Sequence, residues 1–487
     1  MTHPFMHLIP QQPSHFINGQ WVTASESDEV LNPSTGQVIM RVATGDKTTV
    51  DQAVRQAAIA QKHWAEKPQP ERAAFLEAWI EQVKEHAEAL AHLLVTEQGK
   101  PLSEAHAEVK MALTMLRYSA SFAWRNQGEV LAASAPGQHS VTREVPLGVV
   151  GAITPWNFPL ALFIRKTAPA IVAGNSIVVK PSEVTPLSAL ALATLSQKAG
   201  IPPGVINVVC GTGRVAGDAL VKHPTTALIT MTGSTGAGKQ IMKNAAEKVI
   251  PVSLELGGKA PFIVMDDADI ERAATDALNA RMSNCGQVCI CNERTYVQRG
   301  VYDAFIQALK KAAAGVVVGN PMSETTTVGP KVSVAEKEHV DALMQETLQE
   351  GGNLLWQAEL PRDPELQGGN WVAPAIVTDL PENARILREE VFGPILPVVV
   401  FDTVAEVIEK ANDSEYGLSA YLYTRDLSAA LTLSDALEYG EVYINRHGPE
   451  EINGFHAGWK LSGLGGDDGE HGYQLYVKRK TVYIDYH

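Results

Sequence analysis

The run VVGAIT at 149–154 opens the stretch that decides the fold, because four more short β-branched runs follow it: SIVVK at 176–180, VINVV at 205–209, ALITM at 227–231 and VSLEL at 252–256. Most end in Gly, Pro, Ser or Thr turns and are separated by helical stretches. Apolar runs of this length, alternating with helices, predict buried parallel strands in an α/β sheet. A second alternation, through FIVM at 262–265, TYVQ at 295–298, LPVVVF at 396–401 and EVYIN at 441–445, predicts another sheet built the same way. Such sheets bind ligands outside the carboxyl ends of their strands. Attention therefore falls on the loops PWNFP (155–159), KPSE (180–183), GTGRVAG (211–217) and TGSTGAGK (232–239).

Upstream, the chain from 48 to about 128 reads as helices. Phe75, Leu76, Trp79, Ile80, Val83, Ala87, Leu90 and Leu94 recur at three and four, Gly99 with Pro101 supplies a stop, and a second helix is expected from Ser103 to Asn126. Pro136, Gly137 and the alternating SVTREV at 140–145 predict a hairpin that projects from the body to pair or to contact another subunit.

The 487 residues allow two or three domains. With 40 Lys+Arg against 55 Asp+Glu, a net −15, the chain lacks the basic footprint of a nucleic-acid or anionic-lipid binder. No apolar run reaches the roughly 18 residues of a membrane span, and Pro4, Pro10 and Pro13 interrupt any signal-peptide core. Four cysteines, three of them within 285–291, make no disulfide framework, so a reducing, cytoplasmic setting is expected.

Several motifs carry chemistry. GSTGAGKQ at 233–240 approaches the phosphate-loop pattern but puts Gln240 where a hydroxyl should bind the metal, leaving an ATPase as a remote alternative. What survives is a strand, a Gly-rich turn and a helix N-terminus suited to a pyrophosphate. In NCGQVCICNER at 284–294, three cysteines fall short of the four ligands of a tetrahedral zinc site, so no metal is expected. Cys289 instead sits in a loop among small and polar residues where a thiolate can be reached. ELGGK at 255–259 places Glu255 among apolar strand residues, where its pKa rises toward that of a general base. PWNFP mounts the Asn157 amide between two prolines as an oxyanion donor.

A thiol nucleophile, a carboxylate base, an amide donor and dinucleotide-sized loops together resemble the aldehyde dehydrogenase superfamily. The resemblance runs from FINGQWV at 16 to the C-terminal strand, through PWNFP, KPSE, TGST, ELGGK, GQVC, EEVFGPI (389–395) and GLSAYLYT (417–424) in family order. It implies two Rossmann-like parallel-sheet domains plus a β oligomerisation arm: residues 1–128 and 148–256 bind NAD, 257–445 are catalytic, and 129–147 with 475–487 form the arm and C-terminal strand. It also implies that Cys289 adds to the aldehyde, that Asn157 and the Cys289 N–H hold the oxyanion, and that Glu255 activates water to release a free acid from the thioester. Cofactor positions by similarity are Trp156, Lys180 and Glu183 at the ribose, Gly213 and Gly217 beside the adenine, Gly233 and Ser234 at the pyrophosphate, and Glu390 with Phe392 at the nicotinamide. Glu183 favours NAD over NADP, because a carboxylate accepts from a ribose 2′-OH and repels a 2′-phosphate.

Within the superfamily the likeness is to the lactaldehyde/glycolaldehyde dehydrogenase subgroup, through LFIRKTAPAIVAGN (162–175), MDDADIE (265–271), GQVC-x-C-x-ER and GFHAGW (454–459). There Arg165, Glu450 and His456 match positions contacting a small hydroxyaldehyde. Ile290 replaces the subgroup's Asn after the nucleophile, which keeps aromatic or aliphatic aldehydes as alternative substrates, and the Cys-x-Cys core, which resembles that of succinic semialdehyde dehydrogenases, keeps succinic semialdehyde as another. Expected partners are a small-molecule aldehyde and copies of the chain, as homodimer or homotetramer, with no nucleic acid or membrane. Two further expectations concern Cys289 with Cys291, whose oxidation would switch activity off reversibly, and GWKLSGLGGDDGEHG (458–472), which lacks the family's usual Arg-Glu after SGxG.

Overall fold

The five β-branched runs form the parallel centre of an eight-stranded sheet. In a computed structural model, which describes residues 3–125 and 128–486, strands Ile206–Val208, Ser176–Lys180, Val149–Ile153, Thr226–Thr232 and Val252–Glu255 lie side by side in that order, all parallel. The chain builds outward from Val149–Ile153 on one side and then returns to its other side, so the order reverses between Val149–Ile153 and Thr226–Thr232. At such a reversal the loops leaving the carboxyl ends diverge and open a crevice. PWNFP follows one of these strands and TGST the other. Antiparallel strands finish the edges: Ser14–Ile17 with Gln20–Thr23 on one side, and Gly463–Leu464 against Val252–Glu255 on the other.

All five residues of Ser176–Lys180 are buried, which is why a central strand covered on both faces reads as one apolar run. The second sheet has seven strands in the order Asn353–Gln357, Ala375–Thr378, Ile395–Phe401, Asn292–Gln298, Ala260–Val264, Ser419–Tyr423 and Glu441–Ile444. Only Asn353–Gln357 pairs antiparallel.

The helical region resolves into Lys47–Glu66, Gln69–Glu85, Ala87–Gln98 and Leu102–Ser121. The run from Phe75 to Leu94 is two helices, broken at His86, which closes the first through its N–H to Gln82 O and opens the second. Gly99 stops the second in the left-handed conformation at φ 92°, donating to Leu94 and Val95 carbonyls. The following helix ends at Ser121, because the turn Phe122–Trp124 lays Phe122 flat on Tyr473, with ring centroids 4.1 Å apart. Asn126, its expected end, lies outside the described residues, as do Met1, Thr2 and His487 of the expected terminal segments.

Gly128–Leu131, Gln138–Pro146 and Val477–Asp485 form a separate antiparallel three-stranded sheet, with the C-terminal strand paired along the full length of Gln138–Pro146. The fold is thus two Rossmann-like parallel sheets with a β arm. Among the described residues no helix is long and apolar enough to cross a membrane.

Candidate active site

Cys289 lies on the loop between helix Ile270–Met282 and strand Asn292–Gln298, and that loop is fixed on every side. Asn284 and Cys285 take left-handed backbone, at φ 47° and 57°, a strain that persists only where the surroundings hold it. The Glu104 carboxyl accepts from Asn284 N (2.9 Å), and Asn284 Nδ2 donates to Asn157 O (2.9 Å). Gln287 donates to Asn284 O (2.9 Å) and accepts from Val332 N (3.0 Å). Beyond the cysteine, the Ile290 carbonyl receives Ser419 Oγ (3.3 Å) and Tyr421 OH.

The glycines of ELGGK exist for close approach. A Cβ on Gly258 would stand 2.4 Å from Cys289 O, and one on Gly257 would stand 2.5 Å from Glu390 Oε2. Gly258 N in turn donates to Glu390 Oε1 at 2.8 Å. Glu255, ending its strand, is 3% exposed, and both its oxygens lack a hydrogen-bond partner. Burial foremost pushes its carboxyl up to about 8, with Asp467 adding to the rise and His456 opposing it. The Asn157 side-chain amide is buried and donates to Gln287 O at 3.0 Å, while the Asn157 backbone carbonyl accepts from Lys100 Nζ at 2.9 Å. Cys289, Asn157, Trp156, Gly233, Ser234, Gly257, Glu390 and Phe392 share one cavity of about 330 Å³. Trp156 and Phe392 meet edge to face there, 5.3 Å apart. Burial, then Glu293, pushes Glu390 up to about 8.

Four of the expected cofactor positions gather elsewhere. Lys180 Nζ is 3.0 Å from Glu183 Oε2. Burial opposes ionisation of Glu183, but Lys180 and the Gly213 N–H hold its carboxyl below the usual range. A Cβ on Gly217 would lie 3.7 Å from Lys180 Cδ.

On the other side of the nucleophile loop, Ile290 lines a second cavity of about 220 Å³ with Met111, Phe158 and Tyr421. Ala107, Met111 and Pro449 also border a third, of about 280 Å³, where Arg165, Glu450 and Asp468 meet. Arg165 is bonded to Glu450 and stands 2.6 Å from Asp468. Against burial, Arg165 and His456 hold Glu450 down to about 2, whereas burial foremost pushes Asp468 up to about 6. His456, beside them, pairs with two other carboxyls: its Nδ1 is 3.1 Å from Glu441 Oε1 and its Nε2 3.6 Å from Glu255 Oε2.

Glu441, Lys166, Asp467 and Asp468 are site residues that sequence reading did not single out. Within 458–472, Asp467 pairs with buried Lys166 at 2.6 Å and Asp468 with Arg165, so two adjacent acids meet two adjacent cations of helix Ala161–Val172. The Cys291 thiol donates to Ala280 O at 3.0 Å, and burial foremost pushes it up to about 12.

Known proteins resemble this chain over nearly its whole length. A 3,6-anhydro-alpha-L-galactose dehydrogenase of Streptomyces coelicolor is 46% identical over 489 residues, covering 99% of each chain. Lactaldehyde dehydrogenase of Escherichia coli is 40% identical over 479 residues, 98% of this chain and 99% of that one. A solved 3,6-anhydro-L-galactose dehydrogenase in complex with NAP superposes with a TM-score of 0.95 at 43% identity, covering 97% of this chain and all of that one. The model of the Aldehyde dehydrogenase family matches residues 21–482, a span that contains the parallel strands of both sheets and the cysteine loop, and the chain belongs to that family.

Proposed function

We propose that the protein oxidises a neutral, hydroxylated aldehyde to the free carboxylic acid with NAD(P), preferring NAD. The observation that carries the substrate class is the state of Arg165. In a succinic semialdehyde oxidase a cation near the pocket must remain available to a carboxylate, but Arg165 is buried against both Glu450 and Asp468. An anionic tail would meet two carboxyl groups there, whereas hydroxyls find both donors and acceptors. The two adjoining cavities offer more room than a three-carbon aldehyde fills, and Ile290 presents an apolar face suited to the C–H side of a sugar ring. The reading therefore extends the small hydroxyaldehydes to anhydrosugar aldehydes, the class named for two of the similar proteins.

The cavity residues fit a dinucleotide. Ser234 caps helix Thr235–Ala246, and a Cβ on Gly236 would meet nothing within 4 Å, so the helix N-terminus is open to a pyrophosphate. Lys180 and Glu183 would hold the ribose, with Gly213 and Gly217 beside the adenine and Glu390, Phe392 and Trp156 toward the nicotinamide. When bound, the nicotinamide takes the hydride. The chain's own residues do the rest. Cys289 Sγ adds to the aldehyde carbon, and Asn157 Nδ2 with the Cys289 N–H holds the oxyanion. Collapse leaves a thioester, and Glu255 takes a proton from the water that hydrolyses it. The arm, with its exposed edge strand Gly128–Leu131, is the surface for assembly with further copies of the chain.

The test is reduced-nicotinamide absorbance with a panel containing 3,6-anhydro-L-galactose, lactaldehyde, glycolaldehyde, succinic semialdehyde and benzaldehyde, for wild type and Cys289→Ala. Highest kcat/KM on a hydroxyaldehyde, and none in the variant, is expected. A preference for the semialdehyde overturns the substrate class, and turnover by Cys289→Ala overturns the site.

A further inference from the structure

An oxyanion donor lowers a barrier only if it is in place before the charge forms. The prolines at 155 and 159 constrain their own φ and the residues before them, not the Asn157 peptide. What holds that peptide is a buried ion pair at the start of helix Leu102–Ser121. Lys100 and Glu108 are each 1% exposed, and Lys100 Nζ lies 2.6 Å from Glu108 Oε2. The ammonium donates to Asn157 O at 2.9 Å and stands 3.8 Å from the centroid of the Phe158 ring. Asn284 Nδ2, from the cysteine loop, donates to the same carbonyl at 2.9 Å, so both lone pairs of that oxygen are occupied. Glu108 extends the hold, its Oε1 accepting from Leu160 N (2.9 Å) and Ala161 N (3.1 Å) at the N-terminus of helix Ala161–Val172. The backbone that presents Lys100 is locked as well. Gly99 is left-handed, a Cβ there would stand 2.8 Å from Pro33 Cγ, and Lys100 N donates to Gln98 Oε1 at 3.0 Å.

One ion pair thus grips the segment 157–161 at both ends. We propose that Lys100 and Glu108 are positioning residues for the oxyanion hole: they fix the Asn157 peptide so that Nδ2, with one hydrogen on Gln287 O at 3.0 Å, keeps the other for the oxyanion in the cavity shared with Cys289. This rests on the reading of Asn157 as oxyanion donor. The arrangement also ties the donor to the nucleophile, because the carbonyl that Lys100 holds is the one that Asn284 of the cysteine loop reaches. Without the ammonium, the Asn157 carbonyl keeps only that second tie, and the peptide that aims the side chain can turn about it. The effect belongs to charge stabilisation on oxygen, not to the attacking power of the sulfur.

The test compares two reactions of Cys289 on the full chain that need neither aldehyde nor cofactor. With p-nitrophenyl acetate the sulfur forms a C–S bond as the carbonyl π pair moves to oxygen. That pair returns as the C–O bond to p-nitrophenolate breaks, leaving an acetyl thioester, so the path runs through an oxyanion. With iodoacetamide the sulfur displaces iodide and no oxyanion forms. A loosened cysteine loop or an altered thiol moves both rates, whereas a misplaced oxyanion donor moves only the first. In Lys100→Met, acylation, read as nitrophenolate absorbance, is expected to slow on the order of 10–100-fold while alkylation, read by peptide mass, stays within about twofold of wild type. Added to Asn157→Ala, the same substitution should slow acylation by less than about threefold, because residues that act through one group are not additive. Equal slowing of both reactions, acylation at the wild-type rate, or a full further loss on top of Asn157→Ala overturns the proposal. If Lys100→Met does not melt cooperatively, Glu108→Gln takes its place, since it keeps an acceptor for Leu160 N and Ala161 N and removes the charge opposite Lys100. The same selective loss is expected of it, and unchanged acylation overturns the proposal. Asn157→Ala acylating at the wild-type rate refutes the oxyanion reading itself, and the positioning role with it.

Discussion

Replacing Glu255 by Gln should separate the two halves of the reaction. The carboxyl is pushed up to about 8 by burial, and only its ionised form accepts a proton from water. Near pH 7 about one-tenth of the enzyme then carries the active base, and near pH 6 about one-hundredth. Thioester hydrolysis in the wild type should rise about tenfold per pH unit and level off above about pH 8. Both Glu255 oxygens lack hydrogen-bond partners, so Gln orphans no donor, and the isosteric change leaves packing intact. Loss of a general base costs about 10²–10⁴-fold, equivalent to about 3–5.5 kcal/mol of barrier. Stopped-flow mixing with NAD and a hydroxyaldehyde should show Glu255→Gln giving a burst of one reduced nicotinamide per site, followed by a steady state slower by that factor and flat in pH. A burst-free variant with wild-type turnover, or a wild-type steady state flat between about pH 6 and 8, refutes the assignment.

Three further outcomes follow from the geometry. Arg165→Met leaves Glu450 and Asp468 buried without their cation and should destabilise the protein by about 3–5 kcal/mol, read as a lowered denaturation midpoint; an unchanged midpoint shows the carboxyls are satisfied otherwise. Glu183→Ser removes a carboxylate held ionised by Lys180 and the Gly213 N–H, so the ratio of kcat/KM for NADP over NAD should rise about tenfold, about 1.4 kcal/mol, through KM; no change in the ratio removes Glu183 from cofactor selection. Cys291→Ser should inactivate with peroxide, and recover with thiol, just as wild type does, because the Cys291 thiol faces Ala280 O; loss of recovery in the variant restores the disulfide switch.

The parallel sheets were legible because strands such as Ser176–Lys180 are buried on both faces and carry their burial in composition alone. The break at His86 was not, since the apolar period continues through it and only the backbone turn at that residue marks the division. Cys289, Glu255 and Asn157 stand out as candidates because each lies in a short contiguous motif. The partners of Arg165, Lys166 and His456 come from segments about 300 residues away or from across a strand, and pairing at that range leaves no periodicity. One signal was present all the same: two consecutive cations in the otherwise apolar helix Ala161–Val172, and two consecutive acids in the Gly-rich turn at 467–468. Neither charge pair has a reason to be buried without the other.

Cys289 borders the cavity shared with Trp156 and Ser234, and its immediate neighbour Ile290 borders the one shared with Met111 and Tyr421. Two chain segments, Asn157–Phe158 and Cys289–Ile290, therefore each put one residue into either chamber. Mutation can reshape one chamber by changing residue 290 while the other keeps every lining atom, so the shapes of the two chambers are separately heritable.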